Sequence, residues 1–143
     1  MKVLIDTNVI MDALVGREPF FEKSQYVVNL CGDRIIIGCL AAHTITNLFY
    51  ILRKYFDSDK CRDMLLDLFV VFQIGEIDTE KLINALNNRD FKDFEDCLQM
   101  ECGCSLEADY IVTRDVKDFA SSTIPCITPD ELWQRFNPVE TKE

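Results

Sequence analysis

Short β-branched and apolar runs alternate with segments of helical period along this sequence, and that alternation limits the fold more than any other feature. Lys2-Val3-Leu4-Ile5 reads as a buried strand stopped by the polar cluster Asp6-Thr7-Asn8, with a helix following over Val9 to Val15. Gly16 to Pro19 breaks the chain, a helix is expected from about Glu22 to Cys31, and Arg34-Ile35-Ile36-Ile37 reads as a second strand ending at Gly38. Apolar residues at 45, 48, 49, 52 and 56 keep helical spacing over 41–56. Asp57-Ser58-Asp59 interrupts it before a second helix over 60–71, which predicts a helical hairpin. A strand over Phe72 to Ile77 and a helix over Thr79 to Asn87, capped by Asp78 or Thr79, come next, and then a helix over Asp93 to Leu106. The remainder reads as a strand over Ala108 to Thr113, a turn or short helix over Arg114 to Phe119, a strand over Pro125 to Ile127 and a closing helix over Pro129 to Phe136. Strands joined through helices predict an α/β fold: a central, mainly parallel sheet of four to five strands covered on both faces, with right-handed crossovers.

At 143 residues and 48% hydrophobic content the chain can bury one core, so a single domain over 1–136 is expected, with 137–143 as a disordered tail. Met1 to Ile5 contains no signal-peptide core before Asp6, which predicts a cytoplasmic protein. The longest apolar stretch, Ile35 to Ala42, is far short of the roughly 20 residues a membrane span needs. Seven cysteines form an odd set among apolar neighbours, the pattern of reduced, buried thiols. Cys97, Cys102 and Cys104 fall on one expected helix with no C-x-x-C pair, and His43 is distant, so structural cysteine is favoured over zinc. A net charge of −10 disfavours nonspecific nucleic-acid binding, which draws on Lys and Arg. Divalent ions at a carboxylate cluster, or a basic partner, can supply the missing positive field.

In an open parallel sheet ligands gather beyond the carboxyl ends of the strands, where Asp6 and Asp115 both fall. Asp96 opens a helix three residues after Asp93, and Asp115 and Asp118 share the same spacing, so four carboxylates can meet on one rim. Each also has a plainer reading as a helix cap or as an acid favoured by the helix dipole. Gathering several like charges is costly unless protons or a cation compensate, and oxygen-only ligands favour Mg²⁺ or Mn²⁺.

Three segments, Val3-Leu4-Ile5-Asp6-Thr7-Asn8-Val9-Ile10, Asp93-Phe94-Glu95-Asp96-Cys97-Leu98-Gln99 and Ala108 to Phe119, resemble a PIN domain, and the resemblance extends from Met1 to about Phe136. It implies a PIN-like three-layer α/β/α sandwich and a Mg²⁺- or Mn²⁺-dependent ribonuclease, many such proteins being toxins of toxin–antitoxin pairs of the VapC type. It further implies that Asp6, Asp96, Asp115 and Asp118 hold the metal and carry catalysis, with Thr7 and Asn8 as polar supports. Where the family usually places a glutamate, Thr44-Ile45-Thr46-Asn47-Leu48-Phe49-Tyr50 offers Asn47, which resembles a PIN-like subgroup with asparagine there. An amide can ligate through its carbonyl oxygen but brings no charge and cannot act as a base. Glu95 is a candidate to compensate, although it points about 100° away from Asp96 around the helix.

The first functional reading is therefore metal-activated hydrolysis of RNA, with Arg17, Lys92, Arg114 and Lys117 as candidate phosphate contacts and an antitoxin protein as partner. The second is a weakly active or inactive PIN fold acting as a binding module. The run from Met64 to Phe72 is richer in large apolar groups than one buried face requires, which suggests a homodimer or partner surface. The third is phosphoryl transfer on another α/β fold, a phosphatase or a receiver. It lacks the second aspartate in Asp6-Thr7-Asn8 and the lysine after Thr113 that those folds use.

Overall fold

The computed structural model describes residues 1–138; the last five positions of the expected tail lie outside them, while Asn137 donates to the Trp133 carbonyl at 2.9 Å and to Tyr26 Oη at 3.1 Å. Five strands form one wholly parallel sheet: β1 (Lys2–Ile5), β2 (Ile37–Ala41), β3 (Gln73–Gly75), β4 (Tyr110–Val112) and β5 (Cys126–Ile127), in the order β3-β2-β1-β4-β5. The helices are α1 (Thr7–Val15), α2 (Phe21–Gly32), α3 (Ala42–Leu52), α4 (Ser58–Val71), α5 (Thr79–Asn87), α6 (Phe94–Ser105) and α7 (Pro129–Phe136), with a 3-10 turn at Val116–Phe119.

Alternation along β1 splits the core. Val3 and Ile5 join the cluster built with α1, α2, α3, α4 and α7, while Leu4 joins the cluster built with α5 and α6. The result is the three-layer α/β/α sandwich that the alternating pattern predicts. No described helix is long and apolar enough to cross a membrane.

The second strand lies later than its β-branched run suggests. Arg34 turns through a left-handed φ of 60°, and the Ile35 N–H donates back to the Leu30 carbonyl at 3.0 Å. Residues 33–36 therefore finish α2, and pairing starts with Ile37 opposite Lys2. Gly38 sits inside the strand rather than ending it, because a Cβ there would stand 2.6 Å from Cys31 Sγ and 2.7 Å from the Phe72 ring. The first helix of the hairpin stops at Leu52, four residues early, and the second starts at Ser58, where the Asp57 side chain accepts from the Lys60 N–H at 2.8 Å. Asp57-Ser58-Asp59 is thus a cap as well as an interruption.

Candidate active site

Successive strands β1, β2 and β3 run toward one edge, and the chain then returns to the other side of β1 as β4. The carboxyl ends of β1 and β4 therefore flank a topological switch point, where open α/β sheets form their crevice. Asp6 leaves β1 there, its N–H bonded to the Val112 carbonyl at 2.9 Å. A cavity of about 370 Å³ at this rim is lined by Asp6, by Asn47 of α3, and by Asp93, Glu95 and Asp96 at the start of α6. A neighbouring cavity of about 480 Å³ shares Asp93 and Asp96 and adds Lys92, Lys117 and Asp118. Asp93 and Asp96 form the wall between them.

Asp6 is 4% exposed, and neither of its oxygens caps α1. Oδ1 accepts from Gln99 Nε2 at 3.1 Å and Oδ2 from the Thr113 hydroxyl at 2.9 Å. Burial pushes its pKa up against those hydrogen bonds, and the Asp115 charge adds to the rise. Asp96, half-buried, is pushed up to about 7 by burial first, then by the charges of Asp93, Asp6, Asp118 and Glu95.

Of the plainer readings, a side-chain cap fits only Asp93, while Asp96 and Asp118 do lie in first turns, where the helix dipole favours an acid. Asp93 Oδ1 accepts from the Asp96 N–H at 3.0 Å and caps α6. The side chains of Asp6 and Asp115 make no cap bond to the helices they precede. Asp115 instead accepts from Asn8 Nδ2 at 3.4 Å, and its N–H donates to Thr113 Oγ1 at 3.0 Å. One threonine hydroxyl thus ties Asp6 to the backbone of Asp115.

The supporting positions separate by role. Asn8 holds Asp115, and Thr7 Oγ1 pairs with Thr44 Oγ1 at 3.0 Å, joining the starts of α1 and α3. Asn47 donates from Nδ2 to Glu95 Oε2 at 3.3 Å, so α3 and α6 meet across the cavity despite the rotation between Glu95 and Asp96. His43 accompanies them, its Nε2 3.1 Å from the Glu95 carbonyl, and burial lowers its pKa toward the neutral ring. Of the candidate phosphate contacts, Lys92 and Lys117 line the second cavity. Arg17 and Arg114 turn instead to the fully buried Asp12, at 3.8 and 2.9 Å.

Gln99, Thr113 and Asp12 were not singled out from the sequence. Gln99 was detectable: it stands one turn after Asp96 on the same helical face. Thr113 gave no local signal, since its partner is 107 residues away; Asp12 stood out as the charged residue of an apolar helix, but its Arg114 partner is 102 residues away.

Among the described residues no three His, Cys, Asp or Glu side chains are arranged to enclose an ion directly. The donor chemistry nevertheless fits a hard divalent ion, because Mg²⁺ keeps several waters and takes one or two carboxylates rather than a protein cage. Gln99, on the wall, leaves its Oε1 buried without a partner, and crowded carboxylates with raised pKa values are what a cation relieves.

A family model described as PIN domain matches residues 2–117. Among solved structures, the fold is similar to FitAB bound to an IR36 DNA fragment, at 17% identity and a TM-score of 0.68, covering 89% of this chain and 94% of that chain. It is also similar to VapBC2 from Rickettsia felis bound to a promoter DNA fragment, at 14% identity and a TM-score of 0.64, covering 90% and 98%. A toxin–antitoxin complex from Klebsiella pneumoniae matches at 21% identity and a TM-score of 0.66, covering 89% and 97%. No curated protein matches.

Proposed function

This chain belongs to the PIN domain family, and from that premise we propose that it is a divalent-metal-dependent ribonuclease, the toxin of a toxin–antitoxin pair. The observation that carries the reading is the meeting of Asp6 and Asp96 in one cavity at the switch point, both with pKa values raised by burial and by neighbouring carboxylates. Arrangements of this kind are unfavourable for folding alone and mark functional sites.

In this reading Asp6, Asp96, Asp115 and Asp118 hold one or two Mg²⁺ or Mn²⁺ ions, which when bound neutralise the carboxylates, polarise a phosphate oxygen and acidify a water. Gln99 and Thr113 orient Asp6, and Asn8 orients Asp115. Lys92 and Lys117 receive the RNA backbone beyond Asp96, two cations set among the aspartates of the second cavity. Glu95, held by Asn47, supplies the carboxylate that Asn47 lacks. Purified protein should cleave single-stranded RNA with Mn²⁺ and not with EDTA, and Asp6→Ala should remove the cleavage. Undiminished metal-dependent cleavage by Asp6→Ala would sink this assignment.

One observation favours a second reading, a PIN-fold binding module. Between α3 and α4 an open groove of about 500 Å³ is lined by Ile45, Phe49, Tyr50, Leu66 and Phe69, and Leu66 and Val70 are 64% and 72% exposed. Such a surface suits a second copy of the chain or an amphipathic antitoxin segment. Sedimentation as a monomer across micromolar concentrations, with no co-purifying partner, would count against it.

A further inference from the structure

Asp12 is the most completely buried carboxylate of the chain's polar core, at 0% exposure on α1, and no step of the proposed reaction uses it. Its Oδ2 accepts from Arg114 Nε at 2.9 Å; its Oδ1 has no hydrogen bond and lies 3.8 Å from Arg17 Nη1. A buried ion pair with an unsatisfied oxygen contributes little to stability relative to a packed apolar substitute. Fold stability therefore gives a weak reason for its presence.

The geometry of Arg114 gives a stronger one. Its Nε edge is fixed by Asp12, and its guanidinium carbon lies 4.2 Å from the centroid of the Phe20 ring. With edge and face both engaged, the guanidinium has little freedom left, and its Nη1 stands 4.0 Å from Asp115 Oδ2. The same Asp115 oxygen also takes the Asn8 amide at 3.4 Å. Asp115 is thus met by Asn8, two residues after Asp6, and by an arginine anchored on α1.

We propose that Asp12 is a positioning residue that, through Arg114, braces the Asp115 carboxylate for ion binding at the rim. The brace rests on the reading of Asp115 as an ion-holding carboxylate. It spans 102 residues of sequence and joins α1 to the segment after β4, adding a side-chain contact to Asp115 beside those from Thr113 and Asn8. Only the arginine fork can serve both carboxylates at once; a lysine keeps the charge and loses the geometry. Supports of this kind typically alter metal affinity on the order of 10- to 100-fold when removed.

The test is calorimetric titration of Mn²⁺ into metal-free protein and into Asp12→Asn, Arg114→Lys, the double variant and Asp6→Asn, together with the ¹⁵N spectrum of the Arg114 Nε–H group. The brace predicts Mn²⁺ affinity weakened roughly tenfold by either Asp12→Asn or Arg114→Lys, and no further by both together. It also predicts an Nε–H signal slow to exchange in the parent and fast in Asp12→Asn. If Asp12→Asn does not fold, Arg114→Lys, at a partly exposed position, carries the affinity test alone. Loss of binding in Asp6→Asn with affinities within twofold of the parent in the other variants would overturn the brace and leave the acidic site standing. Unchanged binding in Asp6→Asn, or none in the parent, would remove the acidic site and the brace together.

Discussion

The acidic rim and the apolar groove between α3 and α4 depart from a stable surface in opposite ways. At the rim, carboxylates are drawn out of water and toward one another, raising the pKa values of Asp6 and Asp96. At the groove, Tyr50, Leu66 and Phe69 are left in water, as is Val70 one turn after Leu66 on α4, each more than half exposed. The rim is held from several directions: β1 and β4 deliver Asp6 and Asp115, α6 delivers Asp96, and Gln99, Thr113 and Asn8 fix the oxygens. The groove rests on a hairpin with one buried stripe, Cys61, Leu65 and Leu68 on α4. The difference teaches that the rim carboxylates are fixed in place by hydrogen bonds despite their mutual repulsion, whereas the groove is a surface open to being covered. Tyr50 lines both cavities and marks where they adjoin.

The largest expected effect is at the rim. Asp6→Asn should weaken Mn²⁺ binding by on the order of a hundredfold or more, measured calorimetrically, since losing a ligand charge exceeds losing a ligand's support. Binding preserved within threefold would erase the contrast between the two regions. Asn47→Glu should act in the other direction. It places a second carboxylate against Glu95, and a bound ion rewards the added charge, tightening Mn²⁺ by about 1 kcal/mol, roughly fivefold. Weaker binding would mean that the Asn47 bond to Glu95 matters more than charge.

A pH effect of similar size follows from Asp96. Its pKa is higher in the folded than in the unfolded protein, so its favourable contribution is complete below about pH 4 and is lost as pH rises through about 7. Without metal, Asp96→Asn should be more stable than the parent at pH 8 by about 1–2 kcal/mol, after allowing for solvent screening of a half-exposed side chain. The two should converge at pH 4. Thermal melts in EDTA read this directly, and equal stability at pH 8 would contradict the crowding of the rim.

The smallest change in stability belongs to the groove. Leu66→Lys and Val70→Glu should alter it by no more than about 0.5 kcal/mol, because both side chains are mostly in water. They should leave Mn²⁺ affinity unchanged while lowering any self-association seen by sedimentation. A loss of metal affinity in these variants would show that the two regions act as one.

The layered α/β architecture was legible because its signals are local: period-2 and helical apolar patterns, an aspartate cap at Asp78, and proline opening α7. The β2 boundary was not, because its β-branched run continues through the end of α2, and only packing against Cys31 and Phe72 explains Gly38 within the strand. The rim acids stood out by their position after strands, yet Asp93 and Asp96 shared one spacing with Asp115 and Asp118. Only the structure separates a cap, Asp93, from a carboxylate held by Asn8, Asp115.

By itself the sequence determined which residues sit at strand ends and on helix faces, since φ/ψ preference and side-chain period act over a few residues. Tertiary structure alone decided which acids meet, which arginines turn inward to Asp12, and that Gln99 and Thr113 share Asp6. Those choices depend on strand order and on contacts across about a hundred residues, where chain topology sets distance and local pattern carries no record of it.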